Sequence, residues 1–213
     1  MSNQEQIADL SRVLVVTGSI ASGKTSVTAL LKALGATTIS ADDLARREVE
    51  PNSNSLREIV SEFGQEVLNE DGSLNRMALA DIVFSSKKAL SKLESILHPH
   101  IQAQCDQLIA EAQANGASLV VYDCPLYFEA GLEAKGFGAV LLVSVDPKIA
   151  LNRATKRDQL SASDIEKKQK SQLADGEKRK GAEFIIENNG SLEDLEKKVS
   201  ELAPKLFEIG TKN

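Results

Sequence analysis

The sequence predicts an α/β fold, in which helices cover both faces of a parallel sheet of five strands. The first observation is a run of β-branched residues, Val13–Val16, followed by a glycine-bearing loop and a helix-forming segment. The second is the recurrence of short apolar runs bounded by turn residues, at 36–39, 118–123, 138–145 and 182–188. The third is that helix-forming stretches separate these runs, as crossovers between parallel strands require.

The loop after the first predicted strand carries a phosphate-binding motif. Residues Gly18–Thr25 read G-x-x-x-x-G-K-T between a strand and a helix, the context in which this motif has a mechanism. Its glycines let the loop curl until its N–H groups point inward, and the helix adds the positive end of its dipole. Lys24 is expected at the β- and γ-phosphates, and the Thr25 hydroxyl on Mg²⁺. The predicted ATP-binding residues here are Gly18, Ser19, Ile20, Ala21, Ser22, Gly23, Lys24, Thr25 and Ser26.

Length and composition indicate an ordinary globular protein. The chain has 213 residues, 42% hydrophobic and 26% charged, enough for one domain with an insertion or for two small domains. A net charge of −6 argues against a nucleic-acid partner, and no apolar run approaches the length of a membrane span. Cys105 and Cys124 lack metal-type spacing, so we expect them to be reduced and buried in a cytoplasmic protein.

The second predicted strand is followed by Ser40 and two acidic residues that open a helix. In a structural interpretation Ser40 is the helix N-cap, with Asp43 completing a capping box. In a functional interpretation Asp42 faces the ligand crevice, because ligands of such sheets bind outside the carboxyl ends of the strands. Both interpretations can hold, since neighbouring side chains on a helix point in different directions.

Residues 43–116 predict a helical insertion without further strands. The insertion is longer than a crossover requires, and we interpret it as an acceptor-binding subdomain. One of its helices is expected to end at His98–Pro99, because proline breaks the hydrogen-bond ladder. His98 is either a capping or packing residue or a site residue. Arg76 is either a solvated charge at a helix start or a phosphate contact.

The third predicted strand, 118–123, ends in Asp123. An apolar strand that ends in aspartate is typical of the carboxylate that holds Mg²⁺ directly or through water. The segment Cys124–Glu129 follows at the edge of the crevice, where Glu129 provides a second carboxylate near the site.

The helix after the fourth predicted strand carries Arg153 and Arg157 four residues apart, hence on one face. Such a pair is either a solvated stripe or part of the site. The stretch from Gln159 to Lys180 is polar and rich in lysine, which predicts no core packing and a mobile lid of cations over bound phosphates. The predicted lid is 153–180, and the predicted core comprises 12–42, 117–152 and 181–207.

Taken together, these motifs resemble dephospho-coenzyme A kinase, a family of the P-loop kinase superfamily. The resemblance covers residues 13–206, nearly the whole chain. It implies a P-loop kinase-like three-layer fold with a helical substrate-binding insertion and a lid. The residues that carry it are Gly18–Thr25, Ala41–Asp42, Phe63–Gly64, Asp71–Arg76, Val83–Phe84, His98–Ile101, Pro125–Glu129, Arg153, Arg157–Asp158, Gln172 and Asn188–Gly190.

The resemblance implies that ATP and Mg²⁺ are used to phosphorylate the ribose 3′-hydroxyl of dephospho-CoA, the last step of coenzyme A synthesis. It implies that Asp42 is the base for the hydroxyl proton, and that Lys24 and Arg153 also take part in catalysis. Arg153 and Arg157 would cover the ATP. We expect a monomer or weak homo-oligomer. The implied acceptor-binding residues are Asp42, Arg76, His98 and Glu129.

Three positions depart from the family pattern. Ser19 stands where the family usually has a second glycine, and Tyr127 where it usually has leucine. The family usually has a second aspartate two residues before the catalytic one, and this chain has Ser40 there. Asp42 is therefore the only carboxylate of that pair.

Two alternative functions are less well supported by the sequence. A nucleotide-dependent switch would need a glycine in D-x-x-G after the third strand and an N-K-x-D motif, and both are lacking. A kinase for a nucleoside or shikimate would share the loop and the lid. The His98–Pro99 and Pro125–Glu129 motifs argue against that acceptor class.

Overall fold

The computed structural model describes residues 7–158 and 172–211, with only the backbone described at 157 and 158. Its five strands form one sheet, as the sequence predicts. The strand order, which the sequence analysis leaves open, is β2-β3-β1-β4-β5. The strands are β1 (Val13–Gly18), β2 (Thr37–Ser40), β3 (Val120–Asp123), β4 (Ala139–Ser144) and β5 (Phe184–Glu187). The helices are α1 (Lys24–Ala33), α2 (Ala41–Arg47), α3 (Asn54–Phe63), α4 (Arg76–Ser85), α5 (Lys87–Ala114), α6 (Pro147–Asp158), α7 (Asp175–Lys180) and α8 (Leu192–Gly210).

The centre of the sheet is apolar because it is covered on both faces. Every residue of β1 and of β4 is buried. Strand β1 pairs in parallel with both neighbours, so that Val15 lies opposite Tyr122 of β3 and Val140 of β4. Near-continuous apolar runs, rather than alternation, are what a parallel sheet with helices on both faces requires.

One compact unit contains the sheet; it runs to Ile39 and resumes at Ile109. Helices α1 and α8 pack against each other and against β1. Helix α8 begins with a full Ser191–Asp194 capping box. It is amphipathic and buries one stripe of side chains, which completes the main core. The buried residues of this stripe are Leu195, Val199, Ala203, Leu206, Ile209 and Gly210.

The second compact unit, Ser40–Leu108, contains α2 to α4 and most of α5. Side chains of Ser53 and Asn75 cap α3 and α4 by accepting backbone N–H bonds. The helices enclose a separate apolar core, built around the fully buried Ile59 and Val67. No helix within the described residues is both long and apolar enough to span a lipid bilayer.

The predicted helix end at Pro99 is wrong. Helix α5 runs from Lys87 to Ala114 with Pro99 inside it. An interior proline removes one backbone hydrogen bond and costs roughly 3 kcal/mol. Ile96 before the proline, and Cys105 and Ile109 after it, are all buried. Because each buried apolar side chain contributes roughly 1.5–3 kcal/mol, packing on both sides of Pro99 outweighs the local break.

The missing backbone hydrogen bond at Pro99 predicts that Pro99→Ala stabilises the protein. Restoring the backbone donor should raise the free energy of unfolding by about 1–3 kcal/mol, measured by urea denaturation. Ala103→Pro, at an exposed position one turn later, is the matched control and should destabilise the fold by about 3 kcal/mol. A loss of stability in Pro99→Ala would contradict this explanation and indicate that the ring itself packs favourably.

Candidate active site

The phosphate loop (Gly18–Thr25) joins the end of β1 to the start of α1. Gly23 is the helix N-cap and has φ = +89°, a left-handed conformation that other residues adopt at a cost. A Cβ added to Gly23 would lie 2.1 Å from the Asn188 side-chain nitrogen. A Cβ on Gly18 would lie 2.5 Å from the carbonyl oxygen of Val143. Gly18 is therefore required by the close approach of β4, and Gly23 by its left-handed backbone and the nearby Asn188 side chain.

Asn188 connects the loop to the end of β5. Its side-chain Nδ2 donates to the Ser22 carbonyl at 2.8 Å, and its own backbone N–H donates to the Ser144 carbonyl at 2.8 Å. The residue is only 6% exposed, so both bonds are shielded from water. Asn188 thereby holds the second half of the loop against β4 and β5.

Lys24, at the start of α1, forms an ion pair with Asp123, at the end of β3. The two side chains are only 13% and 14% exposed. Thr28, one turn further along α1, donates its hydroxyl to the Thr25 carbonyl at 3.0 Å and lies 3.5 Å from the other Asp123 oxygen. The arrangement brings one cation and one carboxylate together at the mouth of the loop.

The oxygen donors at this point suit a magnesium ion. Mg²⁺ is typically held by one or two carboxylates, phosphate oxygens and waters rather than by a cage of protein ligands. Asp123 provides the carboxylate, and Thr25 lies exposed in the first turn of α1. Within the described residues there is no cluster of three acidic, histidine or cysteine side chains that could bind a metal by itself.

A cavity of about 500 Å³ lies beside the second half of the loop. It combines cationic side chains with an apolar wall from the start of α8, a combination that suits an anionic nucleotide with a flat base. The lining residues are Ala21, Gly23, Ser26, Arg153, Lys156, Asn188, Ser191, Leu192 and Leu195.

Arg153 belongs to this cavity and also ties α6 to the segment after β5. Its guanidinium donates to the Asn188 carbonyl at 2.9 Å and to the Gly190 carbonyl at 3.1 Å. Arg153 therefore supports the same residue that holds the phosphate loop, and its catalytic role stays a prediction. The side chain of Arg157 lies outside the described residues.

The predicted acceptor-binding residues are divided between the two compact units. Asp42 and Arg76 line one cavity of about 400 Å³ within the second unit. His98 is exposed on α5 and does not line that cavity. Glu129 belongs to the sheet-containing unit, where it accepts the Leu173 N–H at 2.8 Å and pairs with Lys178.

At the start of α2 the capping and functional interpretations involve different residues. Ser40 accepts the Asp43 N–H at 3.2 Å and so caps the helix, as the sequence predicts. The Asp43 carboxylate pairs with Arg46 at 2.9 Å. Asp42, in contrast, is exposed and lines the cavity of the second unit.

The C-terminal end of the predicted lid is an ordered helix, α7. The expectation that this stretch packs no core is wrong for Lys178, which is fully buried and lies 2.8 Å from Glu129. Arg179 pairs with Asp175 and Glu187, and Lys180 pairs with Glu177. Polarity in the sequence predicts cations over phosphates, but it does not reveal that these cations pair with carboxylates. Residues 159–171 of the predicted lid lie outside the described residues.

The segment around Cys124 is largely buried, and its buried residues include Tyr127 and Phe128. Neither cysteine forms a disulfide, and both are buried, as expected. Burial raises the pKa of Cys124 to about 11 and that of Tyr127 to about 12, since both side chains are shielded from water. The Tyr127 ring packs edge-on against Phe128 and Phe137. Tyr127 is thus a packing residue at the position where the family usually has leucine.

Comparison with known proteins assigns the family. The sequence model of the dephospho-CoA kinase family matches residues 12–194. A dephospho-CoA kinase of Syntrophotalea carbinolica is 42% identical over 194 residues, which is 91% of this chain and 92% of the relative. The chain belongs to the dephospho-CoA kinase family. Its activity is the ATP-dependent phosphorylation of dephospho-CoA in coenzyme A biosynthesis, as the sequence predicts.

Solved structures confirm the predicted fold. A Thermus thermophilus protein of 35% identity superposes with a TM-score of 0.79, covering 91% of this chain and 97% of that one. A dephospho-CoA kinase of Campylobacter jejuni, 31% identical, superposes with a TM-score of 0.69. The superposition covers 92% of this chain and 98% of that one. The α/β prediction with a five-stranded parallel sheet is therefore correct.

The sequence predicts no individual role for three residues near the loop: Asn188, Lys156 and Gln172. Asn188 and Gln172 contact the phosphate loop, and Lys156 lines the nucleotide-sized cavity. The only signal for Asn188 and Gln172 was their presence in the resembling motifs. The spacing Arg153–Lys156 could have indicated that both residues share a helix face, since positions three apart are neighbours.

The two constraints on Gly23 predict the effect of Gly23→Ala. A left-handed alanine costs of order 1–3 kcal/mol, and the methyl group would also displace Asn188 from the loop. ADP affinity, measured by isothermal titration calorimetry, should fall at least about tenfold. Gly35→Ala is the matched control, because Gly35 has φ = +102° but an open space around its Cβ. Equal ADP affinity in wild type and Gly23→Ala would contradict this role of Gly23.

The raised pKa of Cys124 predicts a loss of stability at high pH. Because the native state favours the protonated thiol, its contribution is complete below the ordinary pKa of 9.0 and is lost as pH rises towards 11. As the pH rises between these two pKa values, the free energy of unfolding of wild type should fall by about 2 kcal/mol more than that of Cys124→Ala. Urea denaturation at each pH measures the difference. Parallel stability curves for the two proteins would show that the thiol does not titrate as burial requires.

Proposed function

We propose that the chain transfers the γ-phosphoryl group of ATP to the ribose 3′-hydroxyl of dephospho-CoA, with Asp42 as the base. The proposal is carried by the pairing of Lys24 with Asp123 at the mouth of the phosphate loop. A cation and a carboxylate side by side suit a triphosphate and its metal ion, since one binds phosphate and the other binds Mg²⁺.

ATP is proposed to bind with its phosphates in the loop and its base in the neighbouring cavity. The loop N–H groups and the N-terminus of α1 favour anions, and Lys24 bridges the β- and γ-phosphates. Arg153 adds positive charge at the cavity, and Leu192 and Leu195 offer an apolar surface to the base. Residues Gly18–Ser26, Arg153 and Arg157 form the proposed ATP site.

Thr25 and Asp123 are the residues proposed to hold Mg²⁺. When bound, the ion would neutralise charge on the phosphate oxygens during transfer. Lys24, once its ion pair with Asp123 is exchanged for phosphate, stabilises the same negative charge through direct contact. The protein thus contributes positioning and electrostatic stabilisation, which suits phosphoryl transfer because little covalent chemistry is required of the enzyme.

The insertion 43–116 is proposed to bind dephospho-CoA. The cavity of its unit has a polar end with Asp42, Arg46 and Arg76, and an apolar wall. Arginines suit the phosphate groups of the acceptor, and the apolar wall suits its long, largely uncharged arm. The wall residues are Val49, Leu74, Leu79, Ala80, Val83, Phe84, Leu93 and Leu97.

Asp42 is the proposed base because it alone of the two neighbouring carboxylates lines this cavity. It comes two residues after the carboxyl end of β2, the type of position at which ligands of parallel sheets bind. His98 and Glu129 remain part of the proposed acceptor site, and segment 153–180 is the proposed lid that excludes water. A cytoplasmic monomer or weak homo-oligomer is the expected form.

Asp42→Asn tests the base assignment. Asparagine keeps the size of the side chain but cannot take up the hydroxyl proton, so kcat should fall by about 10²–10⁴-fold. ATP affinity should change by no more than about threefold, because the phosphate loop is unaltered. The measurement is a coupled ADP-release assay with dephospho-CoA, with unfolding followed in parallel to confirm an intact fold.

Asp43→Asn is the matched control, since Asp43 pairs with the exposed Arg46 and that contact is worth about 0–1 kcal/mol. Its kcat should equal that of wild type. Near wild-type turnover in Asp42→Asn together with a slow Asp43→Asn would move the base to Asp43. Phosphorus NMR of the product should find the new phosphate on the 3′-oxygen. A phosphate on another ribose oxygen of the product would overturn the proposed regiochemistry.

A further inference from the structure

Gln172 makes a hydrogen bond to the phosphate loop that has no part in the proposed phosphoryl transfer. Its side-chain carbonyl oxygen accepts the backbone N–H of Ile20 at 3.1 Å. Ile20 lies in the first half of the loop, between Gly18 and Gly23. Gln172 itself is in an irregular segment three residues before α7, so its position depends on contacts rather than on a helix.

The two halves of the loop are held by different residues. In the second half, Asn188 donates to the Ser22 carbonyl at 2.8 Å. Within the loop, the Ser22 N–H donates to the Ser19 carbonyl at 3.1 Å. Gln172 provides the corresponding external bond to the first half. Since loop amides must point at phosphate oxygens, a bond that orients one peptide also orients its neighbours.

A buried ion pair holds the backbone next to Gln172. The Leu173 N–H donates to Glu129 Oε1 at 2.8 Å, and Lys178 Nζ lies 2.8 Å from the same oxygen. Lys178 is fully buried, and the Glu129 side chain is 15% exposed. The Lys178 contact is an ion pair rather than a well-aligned hydrogen bond.

Buried charges are costly unless they are paired, so Lys178 strongly restricts where Glu129 can lie. Glu129 in turn restricts Leu173, and Leu173 restricts the adjoining Gln172. A chain of contacts therefore runs from the interior of the sheet-containing unit to Ile20 in the phosphate loop.

We propose that Gln172 is a positioning residue for phosphoryl transfer, which orients the first half of the phosphate loop through Ile20 and is itself placed by the Lys178–Glu129 pair. The inference rests on the proposed binding of ATP phosphates in this loop. The function of Gln172 is to keep the Ile20 peptide in the orientation that the bound triphosphate requires. Glu129 thus supports the phosphate loop through Leu173 and Gln172, in addition to its proposed place in the acceptor site.

Gln172→Met tests this role, because methionine retains the length of the side chain but cannot accept the Ile20 N–H. Loss of one orienting hydrogen bond should lower kcat/KM for ATP by about tenfold. Exchange of the Ile20 amide hydrogen with solvent, followed by NMR, should accelerate by a similar factor. The thermal midpoint should stay close to that of Gln113→Met.

Gln113→Met is the matched control within the same compact unit. Gln113 also accepts a backbone N–H through its side-chain carbonyl, from Asp9 at 3.0 Å, but Asp9 is no part of the site. This variant should retain wild-type kcat/KM. If Gln172→Met had unchanged kinetics and unchanged Ile20 exchange, the positioning role would be wrong. Tighter ATP binding with unchanged kcat would likewise overturn it, since Gln172 would then compete with phosphate for Ile20.

Gln172→Glu provides a second, charge-based test. It retains an oxygen that can accept the Ile20 N–H, so amide exchange should remain slow. It also adds a negative charge beside a loop that receives phosphates, so KM for ATP should rise at least about tenfold, and less at high salt. An unchanged KM would mean that Gln172 is remote from the bound phosphates and would contradict the inference.

Lys24→Ala separates failure of this inference from failure of the proposed function. If Lys24→Ala weakens ATP use severely while both Gln172 variants behave as wild type, the phosphate loop is the ATP site and only the role of Gln172 is wrong. If Lys24→Ala also leaves ATP use unchanged, the loop does not bind the phosphates and the proposed function itself fails.

Discussion

The ion pair between Lys24 and Asp123 is the interaction on which the phosphate site depends. Both charges are largely removed from water, and each would be costly alone. Adjacent parallel strands bring them together, because β1 leads into the loop and β3 ends at Asp123. Pairing therefore satisfies both charges.

The phosphate loop is held from outside as well as by its own glycines. Asn188 at the end of β5 and Gln172 before α7 bond to opposite halves of the loop. Arg153 supports Asn188 through its carbonyl, and the buried Lys178–Glu129 pair supports the segment that carries Gln172. Charged residues that look like a solvated surface in the sequence therefore help to set the geometry of the loop.

The cavity that is proposed to bind the acceptor lies in the helical unit. Its lining residues belong to that unit, which has its own apolar core. The start of α2 separates two functions on neighbouring residues, since Asp43 takes the local contact to Arg46 and Asp42 lines the cavity. Ser40 meets the need for a helix cap at a position where the family usually has an acid.

The parallel sheet and the phosphate loop could be predicted from the sequence, because apolar runs and glycines act through local geometry. The order and spacing of the motifs indicated the family. The sequence also predicted Ser40 as a cap, since capping needs only residues a few positions apart. Tertiary structure decided the continuation of α5 through Pro99, where packing on both sides outweighs a local break. It also decided the contacts of Lys178, Asn188 and Gln172, because ion pairs and hydrogen bonds between distant residues leave no periodic pattern in the chain.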